Sequence, residues 1–186
     1  DRICRIHAVR QVKRLLPNQK AFINFIPTAI YSPEFCLKTT TDLAHALEID
    51  STRFVFEVVE TEQVKDTDHL QSILQYYQDN GFQYALDDVG SGYNTLNFLK
   101  ELEPPYIKLD LNFVRDVDTD VEKQRVAREI LNLRDRFGAM ALAEGVETIE
   151  EFHWLKQAGF DLFQGYLFGK PESEPLSASS INLANL

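Results

Sequence analysis

The sharpest cluster of chemistry-bearing residues is Asp87-Asp88-Val89-Gly90-Ser91-Gly92-Tyr93. Adjacent carboxylates repel each other, and such a pair persists where cations compensate it. The two glycines allow a tight loop close to a bound ligand. A plain strand running into a polar turn is the competing reading of Asp-Asp alone. The loop is no dinucleotide fingerprint, because Thr95 stands where the third glycine belongs, and no Gly-Lys-Ser/Thr phosphate loop occurs.

Four further segments carry charge or polar groups inside apolar surroundings. In Phe56-Glu57-Val58-Val59-Glu60-Thr61-Glu62, Glu57 interrupts an apolar run, where an unpaired carboxylate costs several kcal/mol and should meet a cation. Alternatively, Glu57 points outward from an alternating strand. Lys108 in Ile107-Lys108-Leu109-Asp110 suits the orientation of a phosphate or an attacking water, with an internal salt bridge as the competing reading. Ala143-Glu144-Gly145-Val146-Glu147-Thr148 supplies another carboxylate followed by glycine, whereas Glu147 also reads as an ordinary helix start. Asn24 in Ile23-Asn24-Phe25 is a buried-strand amide able to serve as a neutral oxygen ligand. Oxygen donors without His or Cys select Mg²⁺ or Mn²⁺ over zinc.

The elements that position these groups are short β-branched or aromatic runs alternating with helical periods. Strands are expected at Ala21–Ile26, Arg53–Val59, Phe82–Asp87, Tyr106–Asp110, Ala139–Ala143 and Phe160–Gln164. Asp66 or Asp68 caps a helix with Leu70, Ile73, Leu74 and Tyr77 on one face, stopped by Asn80-Gly81. Val126, Ile130, Leu133 and Phe137 form another stripe, ended by Gly138. Thr148 and Glu151 make a capping box ahead of Phe152 and Leu155, with Gly159 at the far end. Asp1–Leu15 reads as an uncapped helix entered midway, with Ile3, Ile6, Val9 or Arg10 and Lys13 at near-helical spacing.

Strands alternating with helices imply a parallel α/β sheet. Glu57, Asp87, Asp110 and Glu144 fall at or near the ends of different strands, which is how a TIM-type (β/α)8 barrel builds a site. About six βα units are present, so the expectation is an N-terminally truncated barrel over residues 1–171 with a polar tail at 172–186.

Among 186 residues, 19 Lys and Arg against 29 Asp and Glu give a net charge of −10. That balance argues against a nucleic-acid polymer as partner, but not against a phosphate-bearing substrate met through metal ions. No apolar stretch approaches the ~20 residues of a transmembrane segment. Cys4 and Cys36 read as reduced core residues of a cytoplasmic domain, and four scattered histidines offer no zinc spacing.

Taken together, Glu57-Val-Val-Glu60, Asp87 to Tyr93, Ile107-Lys108-Leu-Asp110, Ala143 to Thr148 and Gln164-Gly-Tyr-Leu-Phe-Gly-Lys-Pro171 resemble, in order, the EAL-domain family of cyclic di-GMP phosphodiesterases. The resemblance implies a (β/α)8-type barrel and hydrolysis of cyclic di-GMP to linear pGpG with Mg²⁺ or Mn²⁺. It implies that Asn24, Glu57, Asp87 and Asp88 are metal ligands and that Glu144 is a metal ligand or general base. By the same resemblance Lys108 holds the nucleophilic water, Glu60 steadies the loop after the Asp pair, and Gln164 and Glu147 lie near the substrate. The Glu-Ala-Leu signature itself is absent and is expected upstream of Asp1. Val89 stands where the family prefers Phe, and Phe25-Ile26-Pro27 where a Ser usually follows the Asn.

The expected chemistry is a two-metal site bridged by Asp87, with Lys108 orienting a water and Glu144 accepting a proton or holding the second ion. The alternative is a catalytically inactive cyclic di-GMP receptor or a regulatory interaction domain. An upstream sensor or cyclase domain and a homodimer through the barrel are further expectations. The truncation itself leads to the expectation that the isolated chain is feeble or inactive and self-associates.

Overall fold

A computed structural model of the protein describes residues 2–25, 33–59, 67–90 and 95–175. The chain divides into two compact units, Asp1–Ala85 and Leu86–Leu186. Among the described residues no helix is long and apolar enough to cross a membrane.

The first unit holds α1 (Arg2–Val12), β1 (Ala21–Phe25), α2 (Pro33–Ala46), a 3₁₀ turn at Ser51–Arg53, β2 (Phe54–Val59), α3 (Thr67–Asp79) and the start of β3 (Gln83–Val89). β1 and β2 pair in parallel, with Asn24 opposite Glu57. The expected α3 face is the one that packs: Leu70, Ile73, Leu74 and Tyr77 are all buried. Tyr77 meets the Phe56 ring edge-on at 4.9 Å, and Phe82 tilts against Phe54 and Phe56. Gly81 then takes a left-handed φ of 83° that ends the helix with little strain. Asp68 lies inside the first turn of α3 and does not cap it, while Asp66 lies outside the described residues.

α1 ends at Val12, three residues short of the expected Leu15, and buries only part of the expected face. Val9 and Val12 are buried, whereas Ile3 is 72% exposed. Its end is held from a distance: Arg53 donates to the carbonyls of Val12, Leu15, Leu16 and Gln19. One guanidinium thus ties the end of α1 and the turns that follow it to the 3₁₀ turn ahead of β2. Cys4 is exposed, which corrects the expectation of a core thiol. The Cys36 side chain lies outside the described residues.

The second unit continues β3 and adds α4 (Thr95–Leu102), β4 (Tyr106–Leu109), α5 (Leu111–Val114), α6 (Val121–Phe137), β5 (Met140–Ala143), α7 (Ile149–Ala158) and β6 (Leu162–Phe163). Here β3, β4, β5 and β6 are neighbours in that order, and β4–β5 and β5–β6 are parallel. All four residues of β4 are buried, as expected for a parallel strand covered on both faces. The buried residues of α6 are Ala127, Ile130 and Leu131, so Ile130 of the expected stripe packs while Val126, Leu133 and Phe137 lie half-buried beside it. Asp120 caps the start of α6 and left-handed Gly138 its end. The capping box on α7 is complete: Thr148 accepts from Glu151 N–H and the Glu151 carboxylate accepts from Thr148 N–H. Residues 171–175 are exposed, and the rest of the polar tail lies outside the described residues.

Candidate functional site

Within the second unit, three strand ends converge on one lysine. β4 places Lys108 in an all-apolar strand, where it is 2% exposed and cannot remain ionised without partners. It finds two. Its Nζ donates to Asp87 Oδ1 at 2.8 Å, and it pairs with Glu144, which follows β5 directly. Asp87 and Glu144 each present a carboxylate oxygen within 4.8 Å of the other's. The salt-bridge reading of Lys108 therefore describes its geometry.

The three groups divide their protons unevenly. Burial opposes ionisation of Asp87, yet hydrogen bonds from Glu144 and Lys108, together with the Lys108 charge, hold its pKa below the ordinary carboxylate value. Burial and the hydrogen bond shared with Asp87 push Glu144 the other way, up to about 8, against the pull of Lys108. One lysine can neutralise one carboxylate, so the second carries a proton. Asp88 is half-buried, and burial together with Asp87 and Asp110 raises its pKa too. Such a site has more carboxylates than cations. An all-oxygen, charge-deficient donor set of this kind fits a hard divalent ion.

Asp110, anticipated only as a strand-end carboxylate, is buried and caps α5 by accepting from Asn112 N–H at 2.7 Å. Its own N–H donates to Val89 O, joining the end of β4 to the end of β3. β3 runs two residues past its expected end at Asp87, so the Asp pair lies within the strand rather than in the loop. Asp88 holds a left-handed φ of 55°, costly for a residue with a Cβ and tolerated best by Asp and Asn.

In the first unit, Glu57 is 7% exposed between buried Phe56 and Val58, which excludes the outward-pointing alternative. Asn24, its register partner, is exposed rather than buried, because β1 ends one residue later at Phe25. Glu60 and the loop residues Ser91 to Tyr93 lie outside the described residues.

Gln164 is exposed just after β6, and its backbone bonds Ala143 O and Val146 N–H on either side of Glu144. Gly165 approaches the same segment so closely that a Cβ there would stand 2.1 Å from Val146 O. Glu147 pairs with Arg115 at 2.6 Å on a half-exposed rim. The helix-start reading of Glu147 is too local, because it ties two loops together.

A role that sequence reasoning missed belongs to Glu151. Beyond its capping bond, its carboxylate accepts from Glu147 N–H and from Asp116 N–H, 35 residues away in sequence. These backbone hydrogen bonds outweigh its burial and hold its pKa below the ordinary value. The capping-box spacing signalled the local half of this function; no sequence pattern signals the distant half.

The EAL domain family model matches residues 1–171. A probable cyclic di-GMP phosphodiesterase of Escherichia coli K12, PdeG, is 37% identical over 80% of this chain and 29% of its own length. The Pseudomonas aeruginosa cyclic di-GMP phosphodiesterase PA2567 is 33% identical over 73% of this chain and 23% of its own length. The chain thus spans less than a third of these curated relatives. A standalone EAL protein of Vibrio cholerae O395, solved with c-di-GMP bound, has a TM-score of 0.90 at 38% identity over 99% of this chain and 77% of that one. Klebsiella pneumoniae BlrP1, solved with manganese and cy-diGMP, has a TM-score of 0.80 at 32% identity over 89% of this chain and 42% of that one. These likenesses bear out the expected α/β barrel class. On the family match and the relatives together, the chain belongs to the EAL domain family.

Proposed function

We propose that this domain hydrolyses cyclic di-GMP to linear pGpG with Mg²⁺ or Mn²⁺ bound. The single observation that carries the reading is the buried Lys108 set between Asp87 and Glu144, a cluster with more acid than base. The relatives named as phosphodiesterases, and the neighbours solved with cyclic di-GMP and manganese or calcium, support the choice of substrate and ions.

Asn24, Glu57, Asp87, Asp88 and Glu144 would hold the ions in a two-metal arrangement. Bound divalent ions supply Lewis acidity toward the phosphate and lower the pKa of water. Lys108, fixed by its two carboxylates, orients the water in line with the scissile P–O bond. Glu144, whose pKa burial and Asp87 push to about 8 in the ion-free protein, would lose its proton as the ions bind and then accept the proton of that water. The oxygen of the water bonds to phosphorus, the P–O bond to the sugar breaks, and the sugar oxygen leaves as a hydroxyl. Glu147 and Gln164 line the substrate side, and Glu60 steadies the loop after the Asp pair. The net charge of −10 is compatible with a dianionic substrate because the phosphates face ions rather than bare carboxylates.

The name of the bifunctional diguanylate cyclase/cyclic di-GMP phosphodiesterase MucR supports a place for this domain beside a cyclase domain; a sensor domain, a homodimer through the barrel and a cytoplasmic setting complete the proposal. The test of the activity is incubation with cyclic di-GMP and Mn²⁺, with and without chelator, resolving substrate from product by chromatography. Metal-dependent pGpG is the expected result, even at the low rate expected of the isolated chain. Binding without cleavage at saturating Mn²⁺ would assign the domain to receptors instead.

A further inference from the structure

We propose that Phe113 is a positioning residue that sets the place of the Asp88 carboxylate, and through it the affinity of the site for divalent ions. The inference rests on the metal-dependent reading above and concerns a residue outside the ligand set.

Asp88 is held in the left-handed region at φ 55°. A residue with a Cβ stays there only where its surroundings over-determine the backbone. Two contacts do so. Asp110 N–H donates to Val89 O and fixes the peptide between Val89 and Gly90, one residue beyond Asp88. One residue further on, Gly90 takes φ 114°, and the Phe113 ring presses against it. Two ring carbons lie 3.1 Å from where a Cβ on Gly90 would stand, with Val126 Cγ1 at 3.5 Å. The ring therefore rests on bare backbone and leaves the turn little room to move toward it.

Phe113 is itself well placed to act as a stop. Its N–H bonds to Asp110 O at 2.9 Å, within a helix capped by the Asp110 side chain. Asp110 and Phe113, the cap and a residue of one short helix, thus grip the end of β3 and the turn that starts at Gly90. With the ring removed, the turn can relax toward the vacated space and release Asp88 from its left-handed conformation. An Asp88 displaced in this way would leave the ions one of the proposed carboxylate ligands short.

The test measures Mn²⁺ binding to the metal-free protein by calorimetry, without substrate, in wild type, Phe113→Leu and Phe113→Ala. Loss of a residue that orients a ligand lowers metal affinity ~10-fold or more, so Phe113→Ala should bind Mn²⁺ about tenfold more weakly. Phe113→Leu, which keeps part of the bulk, should fall between the two and carries the test if the alanine variant does not fold. Hydrolysis by either variant should recover to within about threefold of wild type when Mn²⁺ is raised to saturation. A purely structural role predicts a lowered Tm with unchanged Mn²⁺ affinity, and that result would overturn the inference. Wild type that binds no Mn²⁺ would instead sink the functional reading beneath it.

Discussion

Replacing Lys108 with Met keeps the length of the side chain and removes its charge, which isolates what the ammonium does. Lys108 is 2% exposed and compensates Asp87 at 2.8 Å while also pairing with Glu144. Breaking a buried ion pair by removing one partner costs ~3–5 kcal/mol. Glu144, already pushed to about 8, can answer by keeping its proton, which places the cost toward the lower end. For a chain of 186 residues, roughly 3 kcal/mol lowers the Tm by about 6–12 °C. That loss should appear in chelator. With saturating Mn²⁺ the carboxylates have other cations to face, and the gap should narrow to about 3 °C or less. Turnover should remain at least ~10²-fold down even so, because no ion replaces the group that orients the water. The assays are thermal melts with and without Mn²⁺ and steady-state hydrolysis at saturating Mn²⁺. A metal-free Lys108→Met protein that melts with wild type would refute the electrostatic reasoning, and unchanged turnover would refute the catalytic role.

Three further outcomes follow from the same geometry. Ca²⁺, which prefers longer bonds and more ligands, should bind and inhibit hydrolysis supported by Mn²⁺; Ca²⁺ sustaining full turnover would contradict a tight two-ion site. Glu151→Gln should lower stability by about 1–2 kcal/mol at pH 7, since one amide oxygen cannot replace a carboxylate that accepts three backbone N–H groups. The Glu151 pKa is lowered on folding, so its ionic contribution is present above the unfolded value near 4.5 and disappears as pH falls through the folded one; melts from pH 7 downward should show the two proteins converging. Gly165→Ala places a Cβ 2.1 Å from Val146 O, so backbone must shift; a Tm within 1 °C of wild type would show that the approach is looser than described.

Much of this was legible because parallel strands and capped helices leave local marks. The α3 face, the capping box on α7 and the six strands all stand close to where periodicity and turn residues put them. Apolar neighbours on both sides of Glu57 and Lys108 suggested burial but left an outward-pointing Glu57 open, and only the fold shows Glu57 buried and Lys108 serving two carboxylates. What failed depended on neighbours distant in sequence. On α6 only Ile130 of the expected stripe is buried, and Ala127, too small to register as a hydrophobic anchor, faces inward beside it with Leu131. Ile3 is exposed because burial on α1 centres on Val9 and Val12. Asn24 looked buried from its flanking residues, yet the strand ends beside it. The reach of Glu151 to Asp116 and of Arg53 to four carbonyls belongs to tertiary structure, and no period in the sequence encodes it.

The central claim, that water held at Lys108 attacks a phosphodiester of cyclic di-GMP, is tested most directly by cleavage in ¹⁸O-labelled water. With Mn²⁺ present, the account predicts linear pGpG bearing one ¹⁸O on its terminal phosphate, and no product once the ions are chelated. Cleavage that proceeds undiminished in chelator, or product whose terminal phosphate carries no label, would contradict it.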